Sequence, residues 1–584
     1  MYYMELLQIG RIALIFISWL GYFRILSKKS EVNILFAPMI VMSSQMLILF
    51  LAGILNMMKA AVLLLFLFGL LLFIMQIIKE GFKAFFSSFA NAGFVFFAIV
   101  SVAFYIAIYN AKIIHYDDFS HWALIVKQML IDDRYPNFEN VIMFQAYPPG
   151  GATFIYYFCS LSGGGEGLWI YAQGLLELAY ILPLFVLCDN KNSLLRIAYC
   201  LLFTNFVMCT MHLHQGLLVD ILLAVVGAGS MFFVWYCCRK SSIETPNKTL
   251  IYTIPLLSAC ILIKNSGILF AALCSVYMLV KMRKSYKTKY LLVAMVPYLI
   301  IPIWNKHCDL VYENAALTKH ALSFEYMRLI FNEKTPDYLF WILKKVILFS
   351  LQGKELFLVL LMFVITALVV YLCAPDLKKA YFKAILFCAF FYTIYEFGLY
   401  LVYVFSMTVD QGLALAGSER YRRTALIILL YVPAVFTMFS FSRANWKKPK
   451  SLAGFLAAFL VLLGVWKIDA GNFYTILRTS NNQLRDQMES MISDYNVPSG
   501  TSGFVCSYPN GYAGMEFYIY PYLTLSTDFN VVYNADEEIL AEAMDYNFLF
   551  ILDENNPAIE DFVTTNFPDQ LGKAVIDMRE QDNT

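Results

Sequence analysis

Apolar stretches close to twenty residues long recur along most of this 584-residue chain. A helix of about that length is what crosses the hydrocarbon core of a bilayer. A soluble fold would need a core built from nearly every helix. The composition agrees with the membrane reading: 60% of residues are hydrophobic and 15% charged, against roughly 25% charged in typical soluble domains. The fold class expected is therefore an α-helical polytopic membrane protein. About fourteen spans are expected, near residues 8–26, 32–54, 59–78, 89–109, 168–188, 194–211, 217–238, 250–264, 266–282, 289–304, 356–374, 380–405, 424–441 and 452–468. The first run lacks the charged start and small-residue cleavage site of a signal peptide, so it is expected to remain as a membrane helix. "FWILKKVILFSL" (340–351) is short and interrupted by two lysines, and reads as an interfacial amphipathic helix.

Lysine and arginine excess marks the cytoplasmic side of a membrane protein. "RILSKKS", "KEGFK", "DNKNSLLR", "CRKSSIETPNK", "KMRKSYKTK", "DLKKAYFK" and "SRANWKKPK" occupy every second connection between the expected spans. That alternation puts the N-terminus, the long connections 110–167 and 305–355, and the C-terminal region on the opposite, outer side. All six histidines (His115, His121, His212, His214, His307 and His320) fall in outer connections on this reading. The expected location is the cytoplasmic membrane of a cell, with the polar chemistry on its outer face.

Three segments are expected: N-terminal membrane helices over 1–88, a transmembrane module over 89–468, and a separate acidic domain over 469–584. The last holds 19 Asp and Glu against 4 Lys and Arg, a net charge of −15. It alternates short apolar runs ("GFVCSY", "FNVVYN", "NFLFILD", "KAVIDM") with helical patterns ("NQLRDQMESMISDY", "ADEEILAEAMDY", "NPAIEDFVTTNF"), the signature of a small α/β layer. It has no glycine-rich phosphate loop. The twelve cysteines show no CxxC or zinc spacing, and no basic-aromatic interleaving suits nucleic acid.

The most polar motif of the outer connections is "HYDDFSHWALIVKQML" (115–130), in which two carboxylates, Asp117 and Asp118, stand between two histidines. Neighbouring side chains diverge on helix and strand alike, so the two carboxylates cannot flank one bond as a glycosidase pair does. One would face a reacting group, and the other would orient it or hold a divalent cation. On an α-helix Asp118 shares a face with His121 (i+3) and Trp122 (i+4), and an aromatic plate beside a carboxylate suits a sugar. A helix start at the membrane surface, with Asp118 as N-cap and Trp122 in the aromatic belt, accounts for the same residues. Further on, "YPPG" (Tyr147–Gly150) is a stiff turn. Asp220, Lys264 and the "GSERYRRT" motif with Glu419 and Arg420 stand at outer ends of spans. Ionisable groups at membrane depth are costly and read as functional; Lys264 and Arg420 suit a lipid phosphate. Arg422 and Arg423 are expected to reach for headgroups.

"YDDFSHW", "YPPG", "VDILLA", "IKNSG" and "SERY", taken in order over residues 89–441, resemble the GT-C superfamily of membrane glycosyltransferases. The nearest likeness is to bacterial members related to protein mannosyltransferases and to the lipid A aminoarabinose transferase. The resemblance implies an essential acid at Asp117 or Asp118, with His121, Trp122, Tyr147, Asp220, Lys264, Glu419 and Arg420 binding substrate. It also implies a sugar donor carried on a polyprenyl phosphate, and an acceptor on the outer face that is an envelope glycan, lipid or protein. Relatives often carry His-Pro-Pro where this chain has Tyr147-Pro148-Pro149. Single displacement with inversion follows, one Asp serving as base and fixed cations receiving the charge on the leaving phosphate. A transporter or flippase of lipid-linked saccharides is the alternative. It explains the spans, Asp220 and Lys264, but not the acidic-aromatic connection, and no inverted repeat supports it.

Overall fold

The computed structural model describes residues 2–579 apart from 31, 189–192, 211–215, 241–247, 284–287, 314–322, 446–447, 450, 461–462, 464–481, 510 and 513. His212, His214 and His320 lie outside the described residues, as does the end of the last expected span. The chain divides into two compact units. One comprises Met1–Ala111 with Phe144–Arg478, the other Lys112–Met143 with Thr479–Thr584.

The first unit is helical. Among the described residues nine helices are long and apolar enough to cross a membrane: Leu6–Ser30, Ile34–Ile54, Met58–Glu80, Glu166–Cys188, Val219–Arg239, Lys289–Val311, Lys354–Cys373, Pro375–Phe405 and Ser418–Arg443. The other five expected spans fall on shorter stretches of described apolar helix, two of which, Ser193–Thr210 and the helix from Ser451, run up to residues outside the described ones. Two more are divided by a break at Lys264. This residue is extended (φ −162°, ψ 150°) and separates helix Thr253–Ile263 from helix Gly267–Met282.

Polar caps mark several helix starts: the Asn91 side chain accepts from the Phe94 N–H at 3.1 Å, and Thr335 accepts from Tyr338 ahead of Pro336 at the first helical position. Helix Pro336–Ser350 is the amphipathic segment read from the sequence. Tyr338, Ile342 and Val346 pack on Leu399 and Tyr403 of the neighbouring helix and on Met407 just beyond it, while Phe340, Trp341, Leu343 and Ile347 are exposed.

Helices Tyr2–Ser30 and Met58–Glu80 approach closely through small residues, the usual device where no hydrophobic force drives helices together in lipid. Ser18 donates to the Phe66 carbonyl at 2.9 Å, and Glu80 pairs with Arg24 and, at 2.9 Å, with Lys28. A Cβ at Gly69 would lie 2.0 Å from Ser18 Oγ and 2.8 Å from the Ser18 carbonyl, so only glycine fits there.

The second unit is a four-stranded sheet, β1 (Gly503–Ser507), β2 (Phe529–Tyr533), β3 (Phe548–Ile551) and β4 (Val575–Asp577), in the order β2-β1-β3-β4. The central pairs are parallel, Val505 opposite Val531 and Phe550, and β4 is antiparallel to β3. Phe504, Cys506, Leu549 and Ile551 bury one face against Ile559, Val563 and Phe567. All four strands lie where the apolar runs of the sequence place them. Helix Glu516–Thr524 crosses between β1 and β2, and no periodicity announced it, because five of its nine residues are aromatic or proline.

The acidic-aromatic segment belongs to this second unit. Lys112 reaches Glu489 at 2.8 Å and Asp486 at 3.1 Å. The Asn482 amide donates to the Ile114 carbonyl and Arg485 to that of Ile113. Because residues 112–143 and 479–584 build one compact unit, both lie on one side of the membrane, and an even number of crossings must separate them. Six of the nine long helices, or ten helices with the shorter ones added, lie between them.

Gly69→Val is expected to destabilise the detergent-solubilised chain by about 1–3 kcal/mol, as overpacking does. Gly10→Val, where a Cβ meets nothing within 4 Å, should leave the thermal midpoint unchanged. Equal midpoints for both variants would refute the tight pairing.

Candidate functional site

Asp117 and Asp118 begin a wide helical turn. The backbone N–H groups of Asp118 and Phe119 donate to the His115 carbonyl at 3.0 and 3.2 Å. Residues Asp118–Trp122 then form a π-helical turn before helix Ala123–Asp132. Such turns carry i→i+5 bonds and recur at functional sites. The wider turn alters the sequence-based geometry: Trp122 at i+4 stays near the Asp118 face, while His121 at i+3 is carried off it. Asp118 is not the N-cap that the surface-helix reading required, since it lies inside the turn and is 0% exposed.

Burial organises the rest of the motif. Asp117, Ser120 and His121 are buried and Trp122 is half-buried. The His121 ring meets the Trp122 ring edge-on at 4.5 Å. Desolvation pushes the His121 imidazole from 6.5 down to about 3, so it is neutral at neutral pH and brings no positive charge to the carboxylates. The Asp117 N–H donates to His115 Nδ1 at 3.2 Å.

Phe119 packs on Tyr522 at 5.1 Å, with the Arg485 guanidinium about 6 Å from both rings. Lys127 donates to the carbonyls of Tyr522 (2.6 Å) and Leu523 (3.1 Å), closing the C-terminal turn of helix Glu516–Thr524 as a cation suits. The motif is thus held by the C-terminal domain, which the sequence did not reveal.

The membrane unit gathers a second set of groups. Lys264 Nζ donates to Asp220 Oδ1 at 2.7 Å and lies 4.6 Å from the centre of the Tyr421 ring. Both partners of the pair are buried. Thr424 donates to the Asp220 carbonyl at 3.3 Å. Asp220, Arg420 and Arg423 line a cavity. Helix Glu166–Ile181 also lines it with Ile170, Gln173, Gly174 and Glu177. That spacing of three, four and seven residues is one helical face.

Arg422 and Arg423 do not reach for headgroups. Arg422 is buried and donates to the carbonyls of Phe349 (2.9 Å) and Gln352 (2.8 Å). Arg423 bonds Glu355 at 2.6 Å, with Arg422 at 3.6 Å from the same carboxylate. Internal acceptors outcompete the interface because burial leaves a guanidinium no water to fall back on.

Tyr147 is buried in its turn, its N–H donating to the Phe144 carbonyl at 3.0 Å. The turn leads to Gly150, where a Cβ would lie 2.6 Å from the Leu262 carbonyl; the end of the Tyr-Pro-Pro-Gly turn therefore packs against the last turn of helix Thr253–Ile263. Glu419 is exposed and does not line the cavity. The predicted residues thus fall in two groups: Asp117, Asp118, His121 and Trp122 in one unit, and Asp220, Lys264 and Arg420, with Tyr147 nearby in the chain's packing, in the other. Among the described residues no three His, Cys, Asp or Glu side chains form a group that could hold a metal ion.

Gln173, Glu177 and Arg423 are the charged or amide cavity residues that sequence reading missed. A charged residue inside an otherwise apolar span was the available signal, and Glu177 carries it in "YAQGLLELAY".

No family model and no curated protein matches the chain. Two solved structures are similar to it. ArnT from Cupriavidus metallidurans bound to undecaprenyl phosphate has 13% sequence identity over 82% of this chain and 89% of that chain, with a TM-score of 0.43. The same protein in the apo state has 13% identity over 83% and 89%, with a TM-score of 0.34. ArnT is the lipid A aminoarabinose transferase of the GT-C family, which the sequence motifs resemble.

The buried neutral histidine gives the second unit a pH dependence. Between 6.5 and about 3 the unfolded chain takes up a proton that folded His121 refuses. Its contribution to stability is therefore full above about pH 6.5 and is lost as pH falls through that window, at up to about 1.4 kcal/mol per unit. Hydrogen exchange over residues 116–130 should accelerate as pH drops below 6.5, after correction for the intrinsic rate, and His121→Gln should lessen the effect. An unchanged acid response in the variant would refute it.

Proposed function

We propose that the protein is a membrane glycosyltransferase that moves a sugar from a polyprenyl-phosphate donor to an acceptor hydroxyl on the outer face. The observation that carries this reading is the cavity in the membrane unit, lined by Arg420, Arg423 and Asp220, the last of them paired with Lys264. Fixed guanidinium groups beside a bilayer suit a phosphate on a lipid tail, which arrives laterally and presents two or more charged oxygens to a planar fork. The buried ion pair holds its ammonium in place at a desolvation cost that a packing role alone does not require.

The chemistry needs little else. The acceptor oxygen attacks the anomeric carbon from the face opposite the phosphate. The bond from that carbon to the phosphate oxygen breaks, its electron pair leaves with the phosphate, and the configuration inverts. The leaving group departs without a proton, so the one proton to be moved is that of the acceptor, and a carboxylate takes it. Asp118 is the base in this reading, and Asp117 orients it or the acceptor. The enclosure of Asp118 and the aromatic ring of Trp122 beside it support a sugar-handling role. Lys264, Arg420 and Arg423 receive the developing charge on phosphate. The second unit, with both the acidic motif and the net-acidic tail, is extracytoplasmic.

With purified protein, Asp118→Asn should retain membrane abundance and donor-lipid binding while turnover falls by about 10²–10⁴-fold, and Arg420→Gln should weaken donor binding as well. Near-normal transfer by both Asp117→Asn and Asp118→Asn would sink the assignment of the base.

Sidedness is tested with a thiol. The eleven described cysteines are buried, and burial pushes the Cys506 thiol up to about 12, so a cysteine at exposed Glu538 stands out. Glu538→Cys should react with an impermeant maleimide on intact cells. Reaction seen only after permeabilisation would reverse the topology.

A further inference from the structure

The cavity has two chemically different walls. On one side the guanidinium groups of Arg420 and Arg423 are hydrogen-bond donors without acceptor capacity. On the other, Gln173 and Glu177 stand one helical turn apart on the buried helix Glu166–Ile181, 7% and 2% exposed. The Gln173 amide N–H makes a 3.4 Å bond to the Leu218 carbonyl, but its carbonyl oxygen has no hydrogen-bond partner among the described residues. Glu177 lies within hydrogen-bond reach of Gln173. The hydroxyl of Tyr431, buried and likewise without a hydrogen-bond partner among the described residues, lies close to Glu177.

A carboxyl and an unsatisfied amide oxygen are expensive inside an apolar helix bundle. They line the same cavity as Arg420 and Arg423. Acceptors in such a wall call for a ligand rich in donors. A phosphate at neutral pH has almost none, and an isoprenoid chain has none. A sugar ring carries several hydroxyl groups, spaced to bridge two acceptors one helical turn apart.

We propose that Gln173 and Glu177 form a sugar-recognition subsite that accepts hydrogen bonds from the hydroxyl groups of the donor's glycosyl unit, while Arg420 and Arg423 hold its phosphate. The subsite rests on the donor reading given above and adds to it the part of the site that distinguishes a glycosylated lipid from the bare carrier. Polar pockets discriminate in this way because a ligand lacking the hydroxyl leaves their buried groups unpaired.

The test compares two probes on the purified full chain: undecaprenyl phosphate, and a set of the same lipid each carrying one hexose or pentose. The wild type should bind at least one glycosylated lipid about tenfold or more tightly than the bare carrier. Glu177→Gln and Gln173→Leu should each erase most of that difference and leave affinity for undecaprenyl phosphate within about twofold. Arg420→Gln should weaken both probes together. Equal wild-type affinity for every lipid, or variants at 173 and 177 that weaken both probes alike, overturns the subsite while the donor reading stands. A wild type that binds none of the lipids overturns both.

Discussion

A charged pair sealed among apolar helices, Lys264 on Asp220, governs the membrane unit. Taking either ion out of water costs several kcal/mol, and close geometry with further polar contacts must offset it. The ring of Tyr421 lies by the ammonium, and Thr424 bonds the Asp220 carbonyl, so helix Ser418–Arg443 supplies both supports. Helix Val219–Lys240 supplies the acid, and the break after Ile263 supplies the base. Three elements therefore share one register. The carboxylate of Glu355 ties a fourth, helix Lys354–Cys373, to the same end through Arg422 and Arg423. Charges fixed in this way need no reorganisation when a ligand's charge grows, the condition for electrostatic catalysis.

The second unit solves the opposite problem, keeping an acidic motif enclosed without charging its neighbours. Apolar and aromatic residues do most of the work, with Phe119 and Tyr522 in contact. The cations Lys127 and Arg485 donate to the backbone carbonyls of Tyr522 and Ile113. The π-turn is the local price of presenting Asp118 and Trp122 together.

Hydropathy made the membrane class legible, and alternation located all four strands to within a residue or two, because both patterns are carried by side chains adjacent in sequence. The ion cluster was legible as isolated charges: Asp220, Lys264 and Arg420 each stood out against apolar surroundings, and the fold brings them together. What the sequence hid depends on contacts hundreds of residues apart. Nothing near residue 112 signals that Lys112 pairs with Glu489, and nothing in "RYRR" tells that Arg422 would turn inward to the Phe349 carbonyl. The π-turn was unreadable too, since it differs from an α-helix by one residue of hydrogen-bond register and "DDFSHW" suits both. Helix Glu516–Thr524 was missed because its aromatic residues and Pro521 resemble a strand or turn.

The composition of the second unit from two distant stretches also has a consequence for synthesis. Residues 112–143 leave the ribosome some 340 residues before Thr479, an interval of about 20–70 s at ordinary elongation rates. During that time Phe119 lacks Tyr522 and Ile113 lacks Arg485, so the acidic motif waits without its scaffold. A nascent or prematurely released chain carries every membrane helix up to its stopping point and yet has no assembled carboxylate site. The acidic motif gains its packing partners only with the last fifth of the polypeptide.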